Sequence, residues 1–329
     1  MQECKRKLSM KDTLLETVRL VTNTHINPLG IAHGGQVLKW MVTAGTMTSM
    51  RVARGPALLA RLDNVFFINP IRLGMNAVIT SWVEYIGRSS MELTVLVEEE
   101  NPLTGTRKLT TAAHMTYVRV GSDLRPRPIS ACIEPEGSVE QELYERAIKR
   151  RMERERRSPK GVIKPVVEGY EIKNHILVNP EDTVAYGAMH AGRLLHVLDE
   201  TAGILGMYYS KGIVVTAAVD ATDFVSPILQ GDIVEITAAL TYVGNKSVEV
   251  GLVAETVDPF TGKKRINAQS FFTLVSLDTS GKPRPVPKPE RYTPDSIDTL
   301  REAEERRERR KRLLEFFKRE IERIRPPAG

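Results

Sequence analysis

The chain carries the stretch NPLGIAHGGQVL at residues 27–38 and a second version of it, VAYGAMHAGRLL, at residues 184–195. The two stretches lie 157 residues apart, and the same spacing relates further positions over about 80 residues. These positions keep the same residue type in both copies: Asp63 and Asp220, Phe67 and Phe224, Pro70 and Pro227, Gly74 and Gly231, Tyr85 and Tyr242. A fixed internal period indicates that one folding unit occurs twice, so the sequence predicts two equivalent domains.

Two polar positions differ between the copies. Asn27 of the first copy corresponds to Val184 of the second, and Asp199 of the second corresponds to Val42 of the first. Each copy therefore keeps one member of a polar pair and has an aliphatic residue at the other position. This reciprocal pattern predicts one composite site between the repeats, and a catalytically silent position near Val42 and Val184.

The composition is typical of a globular protein. The chain has 329 residues, of which 41% are hydrophobic, and this length corresponds to about two domains. Cys4 and Cys132 lie outside the repeated blocks and have no CxxC context, which favours reduced thiols over a disulfide framework. No apolar run approaches the ~18 residues of a membrane span, and the N-terminus lacks the apolar core of a signal peptide. We therefore expect a cytoplasmic protein without a membrane span.

The net charge of +6 and the pI of 9.2 would suit acidic partners such as nucleic acid or a phosphorylated cofactor. Much of this charge lies in two predicted helices in which Glu and Arg recur four residues apart, as in Glu302 with Arg306 and Glu305 with Arg309. Such pairs are typical of an exposed helix. Because Glu balances Arg and aromatic residues are scarce, we expect no nucleic-acid binding.

Each copy shows the same predicted order of elements. A short strand leads into the glycine-containing turn, and a helix of about 15 residues follows, apolar on most sides and therefore buried. Strands separated by turn signals come next. One buried helix followed by an antiparallel meander, twice, predicts the α+β class, with a curved sheet around each helix.

The same pattern places the domain boundaries. We expect a first domain at residues 10–130, a charged helical linker at 131–165, a second domain at 166–285 and a charged C-terminal helix at 290–329. The two charged helices follow proline-rich segments and cover roughly residues 139–157 and 297–324.

Two motifs resemble those of the hotdog-fold acyl-CoA thioesterases: Asn-x-x-Gly-x-x-His-Gly-Gly at residues 27–35 and Leu-Asp-Glu-x-Ala-Gly at 198–203. The segments GNKSVE at 244–249 and SFFTLVSL at 270–277 are similar to the same family. The tandem layout resembles the tandem-hotdog cytosolic long-chain acyl-CoA hydrolases. That resemblance implies two tandem hotdog domains that hydrolyse fatty acyl-CoA to free fatty acid and coenzyme A. It also implies that no cofactor is needed, since coenzyme A is part of substrate and product, and that chains form a homo-oligomer, commonly a trimer of double-hotdog chains.

The resemblance further implies that Asn27 and Asp199 form the catalytic pair. Thioester hydrolysis needs a carboxylate that activates water or attacks directly, and donors for the developing oxyanion. Asp199 lies in a predicted apolar helix, where a carboxylate is costly to bury unless it is paired, whereas the adjacent Glu200 suits a solvated acid. Asn27 would hold the water or orient Asp199, although a residue before Pro28 also suits an ordinary turn. The sequence leaves open whether Asp199 is nucleophile or general base.

Backbone and turn residues supply the remaining candidates. Amides at a helix N-terminus offer donors to an oxyanion, although glycines there also allow close packing: Gly34, Gly35, Ala191 and Gly192. Polar residues that follow a glycine at a strand start are candidates for the phosphates of coenzyme A, although hairpin chemistry also explains them: Arg88, Ser90, Asn245, Lys246 and Ser247.

Two other functions remain open. A hydroxyacyl-thioester dehydratase of the same fold would need a histidine near an acid, and His190 keeps this possible. An acyl-CoA-binding module without turnover is disfavoured, because mere binding does not require Asp199 on an apolar helix. His33 and His190 equally suit structural hydrogen bonding, and the six histidines show no metal-ligand spacing. The acyl-chain length is not encoded in any recognisable pattern.

Overall fold

The structure, a computed structural model, describes residues 4–153 and 162–320. The first repeat contains β2 (Leu15–Leu20), α2 (Gly34–Ala53), β3 (Ala57–Leu62), β4 (Val65–Phe66), β5 (Asn76–Ile86), β6 (Ser90–Glu100) and β7 (Arg107–Arg119). The second contains β9 (Glu171–Leu177), α4 (Ala191–Ser210), β10 (Ile213–Val219), β11 (Thr222–Asp223), β12 (Ile233–Val243), β13 (Ser247–Val257) and β14 (Lys264–Leu277). Outside the repeats lie β1 (Arg6–Leu8), α1 (Met10–Thr13), β8 (Ala131–Ile133), α3 (Gly137–Glu153) and α5 (Ile297–Glu320). The predicted α+β class, with one long helix per meander, is confirmed.

The two central helices are each 20 residues long, longer than the sequence pattern predicts. Their apolar side chains continue to the last turn, where Val52 and Tyr209 are still buried. Each helix then ends at a residue in the left-handed region, Arg54 with φ +51° and Lys211 with φ +52°, a conformation that commonly closes a helix. The extra turns are therefore stabilised by packing against the sheets rather than by local sequence.

Helices α2 and α4 pack side by side, as the repeat predicts. They approach most closely at two glycines: a Cβ on Gly35 would lie 3.0 Å from the Cα of His196, and one on Gly192 would lie 3.0 Å from the Cα of Lys39. Only glycine allows backbones this close. The two contacts correspond to each other at the 157-residue spacing, so a pseudo-twofold axis relates the two helices.

Each sheet contains one strand of the other repeat. The first sheet has the order β11-β3-β7-β6-β5-β2, and the second has the order β4-β10-β14-β13-β12-β9. The guanidinium of Arg61 on β3 donates to both carboxylate oxygens of Asp223 on β11, at 2.8 and 2.7 Å. Because β4 and β11 each pair with the sheet of the other repeat, the segments that follow them lie at the interface between the repeats. These segments contain Phe67 and Phe224.

Both charged helices dock onto the sheets through buried ion pairs. In α3, Arg150 pairs with Glu84, and Arg151 lies 3.6 Å from Glu92. In α5, Arg306 and Arg310 are each 8% exposed. The prediction of an exposed helix is wrong for the face of α5 that carries these two arginines. They pair with Glu249, which lies too far away in sequence for the charge pattern of the helix to reveal it. Of the predicted charged segments, residues 154–161 and 321–329 lie outside the described residues.

Cys4 and Cys132 form a disulfide, which corrects the prediction of reduced thiols. Strands β1 and β8 pair in parallel, with Lys7 opposite Cys132, and this pairing brings the two Cα atoms to 5.7 Å, a normal separation for a disulfide. The sequence did not reveal the bond because two strands of three residues each, separated by more than a hundred residues, leave no periodic signal.

Candidate active site

Asp199 is a buried carboxylate at the contact between the repeats. It is the ninth residue of α4, and its side chain is 0% exposed. Its Oδ2 accepts a hydrogen bond from the backbone amide of Gly35 at 2.6 Å, and its Oδ1 accepts one from the hydroxyl of Thr216 at 2.5 Å. The Nδ1 of His33 lies 2.7 Å from Oδ2. A buried carboxylate must be paired and hydrogen-bonded, and donors from both repeats meet that requirement here.

The first turn of α2 forms one wall of this site. His33 is the residue that precedes the helix, and Gly34 and Gly35 are its first two residues. A Cβ on Gly34 would lie 2.8 Å from the Cβ of Thr216, so glycine is required for Thr216 to reach the carboxylate. The positive end of the α2 dipole faces Asp199 and stabilises its negative charge.

The two equivalent histidines have opposite pKa shifts. Burial alone would lower the pKa of His33, but its contact with Asp199 and the charges of Asp199 and Glu200 outweigh burial and raise that pKa above the ordinary value. Burial together with the charge of Lys39 lowers the pKa of His190 to about 4, and no carboxylate among the described residues offsets these two effects. The presence of Asp199 beside only one of the two histidines accounts for the opposite directions of their pKa shifts.

This difference can be measured by proton NMR of the histidine Cε1 signals. We expect His33 to titrate above pH 6.5 and His190 near pH 4. In Asp199→Asn the midpoint of His33 should fall, because burial then acts without the carboxylate. Since the folded-state pKa of His33 is raised, its protonation stabilises the fold below about pH 6.5, and that contribution disappears as the pH rises through the raised value. An unchanged His33 midpoint in the variant would show that Asp199 is not its partner.

Asn27 lies in the turn that precedes α2. Its Oδ1 accepts a hydrogen bond from the amide of Leu29 at 2.9 Å, and Gly30, with φ +72°, closes the turn by donating to the Asn27 carbonyl. The carboxamide oxygen is thus engaged by its own turn, so the amide NH₂ is the group that Asn27 can offer to a ligand. The turn role that the sequence offers for Asn27 is therefore present, and the same residue also lines the cavity that contains Asp199.

Asn27 and Asp199 line one cavity of about 320 Å³ between the repeats. Its polar lining comes from both repeats: Asn27, His33, Asn69, Thr110, Asp199 and Thr216. The rest of its wall is mainly apolar and comes from both repeats: Phe67, Ile68, Pro70, Val214 and Leu274. A concave, largely apolar space with a few convergent polar groups is the usual form of a small-molecule site.

The four predicted helix-start amides have different surroundings. The Gly35 amide donates to Asp199 and is therefore occupied by the carboxylate, whereas Gly34 lines the cavity as the first residue of α2. Ala191 lines the equivalent cavity across the pseudo-twofold axis, which contains Val42 and Val184. Gly192 lies where α4 approaches α2. Only Gly34 thus combines a first-turn amide, which has no acceptor within its own helix, with the cavity that contains Asp199.

The five residues predicted to contact coenzyme A line neither cavity. Asn245 and Lys246 lie in the turn between β12 and β13, and Ser247 begins β13. The carbonyl of Lys246 accepts a hydrogen bond from the amide of Ser276, whose neighbours Val275 and Leu277 line the Asp199 cavity. Arg88 and Ser90 lie at the equivalent turn and strand start of the first repeat, where the carbonyl of Ser89 accepts from Arg119, whose neighbours Val118 and Val120 line the cavity that contains Val42. The hydroxyl of Ser90 accepts a hydrogen bond from Arg151 at 2.7 Å.

Sequence analysis missed Thr216 and the contact of His33 with Asp199. Comparison of the two repeats could have identified Thr216, because it corresponds to Leu59 and is a third polar position present in one copy only. It was overlooked because threonine is an ordinary residue in a β-strand. The pairing of His33 with Asp199 has no sequence signal, because the two residues come from different repeats.

Comparison with known proteins agrees with this architecture. The thioesterase superfamily matches residues 29–106 and 186–259, one segment in each repeat. The cytosolic acyl coenzyme A thioester hydrolase of Mus musculus is 33% identical over 308 residues, which cover 87% of this chain and 80% of the mouse protein. The Homo sapiens protein of the same name is 32% identical over 310 residues, covering 88% of this chain and 80% of its own.

A solved structure adds a comparison of the fold alone. The acyl-ACP thioesterase of Bacteroides thetaiotaomicron is 12% identical with a TM-score of 0.53, and the match covers 81% of this chain and 100% of that one. The tandem arrangement is therefore shared well beyond recognisable sequence identity. The likeness to the mouse and human proteins over nearly the whole length establishes that this chain belongs to the family of acyl-CoA thioester hydrolases.

Proposed function

We propose that this chain hydrolyses fatty acyl-CoA thioesters at the cavity that contains Asp199 and Asn27. The observation that carries the proposal is the buried Asp199 carboxylate, which is held by Gly35, Thr216 and His33 and faces an apolar cavity. The acyl chain would lie along the apolar wall, with the thioester carbonyl near the start of α2. Membership of the family supports the same activity.

Asp199 would act as the general base. Water attacks the carbonyl carbon and gives its proton to the carboxylate, the carbon–sulfur bond breaks, and the proton passes to the sulfur of coenzyme A. Both oxygens of Asp199 already accept from strong donors, and direct attack by one of them would disrupt that set, so the base role fits the contacts better. The Gly34 amide and the Asn27 NH₂ would donate to the developing oxyanion.

Coenzyme A would extend past the mouth of the cavity toward the turn at Asn245–Ser247. Asn245 and Lys246 are exposed, and the turn is hydrogen-bonded to the strand that lines the cavity. A lysine at this position supplies a positive charge for a phosphate. Arg88 and Ser90, which lie in the other repeat's turn, would not serve this cavity.

We also propose that the chains assemble and that the protein acts in the cytoplasm. An apolar group on α4 remains exposed in the single chain: Ile204, Met207 and Tyr208. Exposed apolar clusters of this kind are commonly covered by a partner, and the particle mass of the native protein would show whether it is a multiple of one chain.

The mouse and human relatives are named cytosolic. In the part of the chain that the structure describes, no helix has the length and apolarity needed to cross a membrane.

The proposed function is tested by release of free thiol from acyl-CoAs of increasing chain length. We expect turnover by the wild-type chain, with a chain-length preference that reflects the apolar wall. Lys246→Glu should raise KM with little change in kcat, because it removes phosphate attraction far from the reacting bond. Saturable binding without thiol release would instead identify a binding module.

The contact between His33 and Asp199 also meets the requirement of the dehydratase alternative, which needs a histidine beside an acid. The same assay separates the two reactions when it is run on a 3-hydroxyacyl-CoA. A dehydratase would form an enoyl thioester and release no thiol, whereas a hydrolase would release thiol and form no double bond.

A further inference from the structure

The silent position between the repeats is a second cavity. It has a volume of about 270 Å³, compared with about 320 Å³ for the cavity at Asp199. The 157-residue spacing relates the walls of the two cavities almost residue by residue, including three pairs from the segments exchanged between the sheets: Phe224 with Phe67, Pro227 with Pro70, and Ile228 with Ile71. The fold therefore has two cavities of similar volume with corresponding wall residues.

The second cavity has aliphatic residues at three positions that are polar in the first, although Thr46, Ser226 and Asn267 also line it and most of the volume is kept. Val42 corresponds to Asp199, Val184 to Asn27, and Leu59 to Thr216, and all three aliphatic residues line the cavity. Each replacement is a branched side chain of moderate size, so the space stays open. Walls of this kind lose dispersion contacts when they face a void or water, and an apolar ligand would restore them.

One end of the second cavity remains polar. His190 and Ala191 line it at the N-terminus of α4, where the first amides have no acceptor within the helix. With its pKa lowered to about 4, the ring of His190 is neutral at neutral pH and can donate one hydrogen bond. A carbonyl or carboxylate oxygen fits this end, and a hydrocarbon chain fits along the aliphatic part of the wall.

We propose that this cavity binds a fatty acyl chain, carried by acyl-CoA or by the released fatty acid, without hydrolysing it. Each chain would then hold two acyl ligands, one at the hydrolytic site and one at the cavity of Val42 and Val184. The turn that contains the exposed Arg88 lies beside this cavity, as the turn of Lys246 lies beside the first. The choice of ligand rests on the proposed function, but the existence of the site rests on its geometry.

The test is the number of ligands bound at saturation. Equilibrium dialysis of the full chain with S-dodecyl-coenzyme A, a thioether that cannot be hydrolysed, should give two ligands per chain. Val184→Trp fills the second cavity and should give one, while kcat/KM for hydrolysis stays within about twofold because the sites are separate. The matched substitution Asn27→Trp should also leave one ligand but abolish hydrolysis. One ligand per wild-type chain at saturation would overturn the proposal.

Two additions keep the outcomes distinct. Dodecanoate that displaces the analogue from Asn27→Trp would identify the fatty acid as a ligand of the second cavity, and failure to displace it would restrict the site to acyl-CoA. If Val184→Trp does not fold, Leu59→Phe provides another way to fill the space. Two ligands bound without any thiol release would contradict the proposed hydrolysis and leave the second site supported.

Discussion

Replacing Asp199 by asparagine is expected to lower kcat for acyl-CoA hydrolysis by roughly 10²- to 10⁴-fold, the contribution usual for a general base. The side chain keeps its size, so the helix contact should survive, but the amide cannot take a proton from water. Because the NH₂ of asparagine would face either the amide of Gly35 or the hydroxyl of Thr216, its hydrogen bonds would also be poorer than those of the carboxylate.

The matched control is the next residue in the chain. Glu200 is exposed, and its carboxylate lies 3.6 Å from His196 rather than in the cavity. Glu200→Gln should therefore keep most of the activity, and both variants should show wild-type thermal unfolding. Asp199→Ala provides a second measurement of kcat, because alanine cannot accept the hydrogen bonds of Gly35 and Thr216. If either Asp199 variant kept more than about a tenth of the wild-type kcat, the carboxylate would not be the base.

Replacing Arg310 by alanine is expected to lower the free energy of unfolding by about 3–5 kcal/mol, the usual effect of breaking a buried ion pair from one side. Its guanidinium lies 2.6 Å from Glu249 and 3.0 Å from Asp220, and both carboxylates are nearly inaccessible. Without Arg310, Glu249 would keep Arg306 at 2.6 Å and the hydroxyl of Thr241 at 2.7 Å, so Arg306 would be the cation left to balance its charge among the described residues. Asp220 and Glu249 would then remain buried with less positive charge nearby to balance them.

Urea unfolding of the variant and of Arg301→Ala gives the comparison. Arg301 lies on the same helix but is largely exposed and pairs with Asp298, so its removal should cost less than about 1 kcal/mol. Arg306 and Arg310 balance the cost of burying Glu249 and lower its pKa. That carboxylate therefore contributes stability above its unfolded pKa, and the contribution is lost as the pH falls through the lowered value. Equal losses in the two variants would mean that α5 is not anchored by these pairs.

The predictions that hold best rest on local patterns. Apolar residues around α2 and α4, glycine at turns, and alternation in the strands each act within about one element, so a sequence reports them directly. The repeat adds a comparison that a single domain lacks. It singles out Asn27 and Asp199 by their absence from the other copy, and the structure places both in one cavity.

The predictions that fail depend on residues far apart in sequence. The disulfide joins residues 128 positions apart, and the arginines of α5 pair with a glutamate more than 50 residues earlier. Charge pattern alone treats such a helix as solvated, because the pattern contains only the charges of the helix itself. The exchange of β4 and β11 is equally invisible, since strands of two residues carry almost no periodicity.

By itself the sequence determined that the chain is built from two similar α+β units and that only one of the two interface positions keeps an acid and an amide. The tertiary structure decided what surrounds that acid. The donors Gly35 and Thr216 come from α2 and β10, and the first is 164 residues away from Asp199. Local propensity acts over a few turns or strands, whereas burial of a carboxylate depends on which groups the packed helices bring within hydrogen-bonding distance.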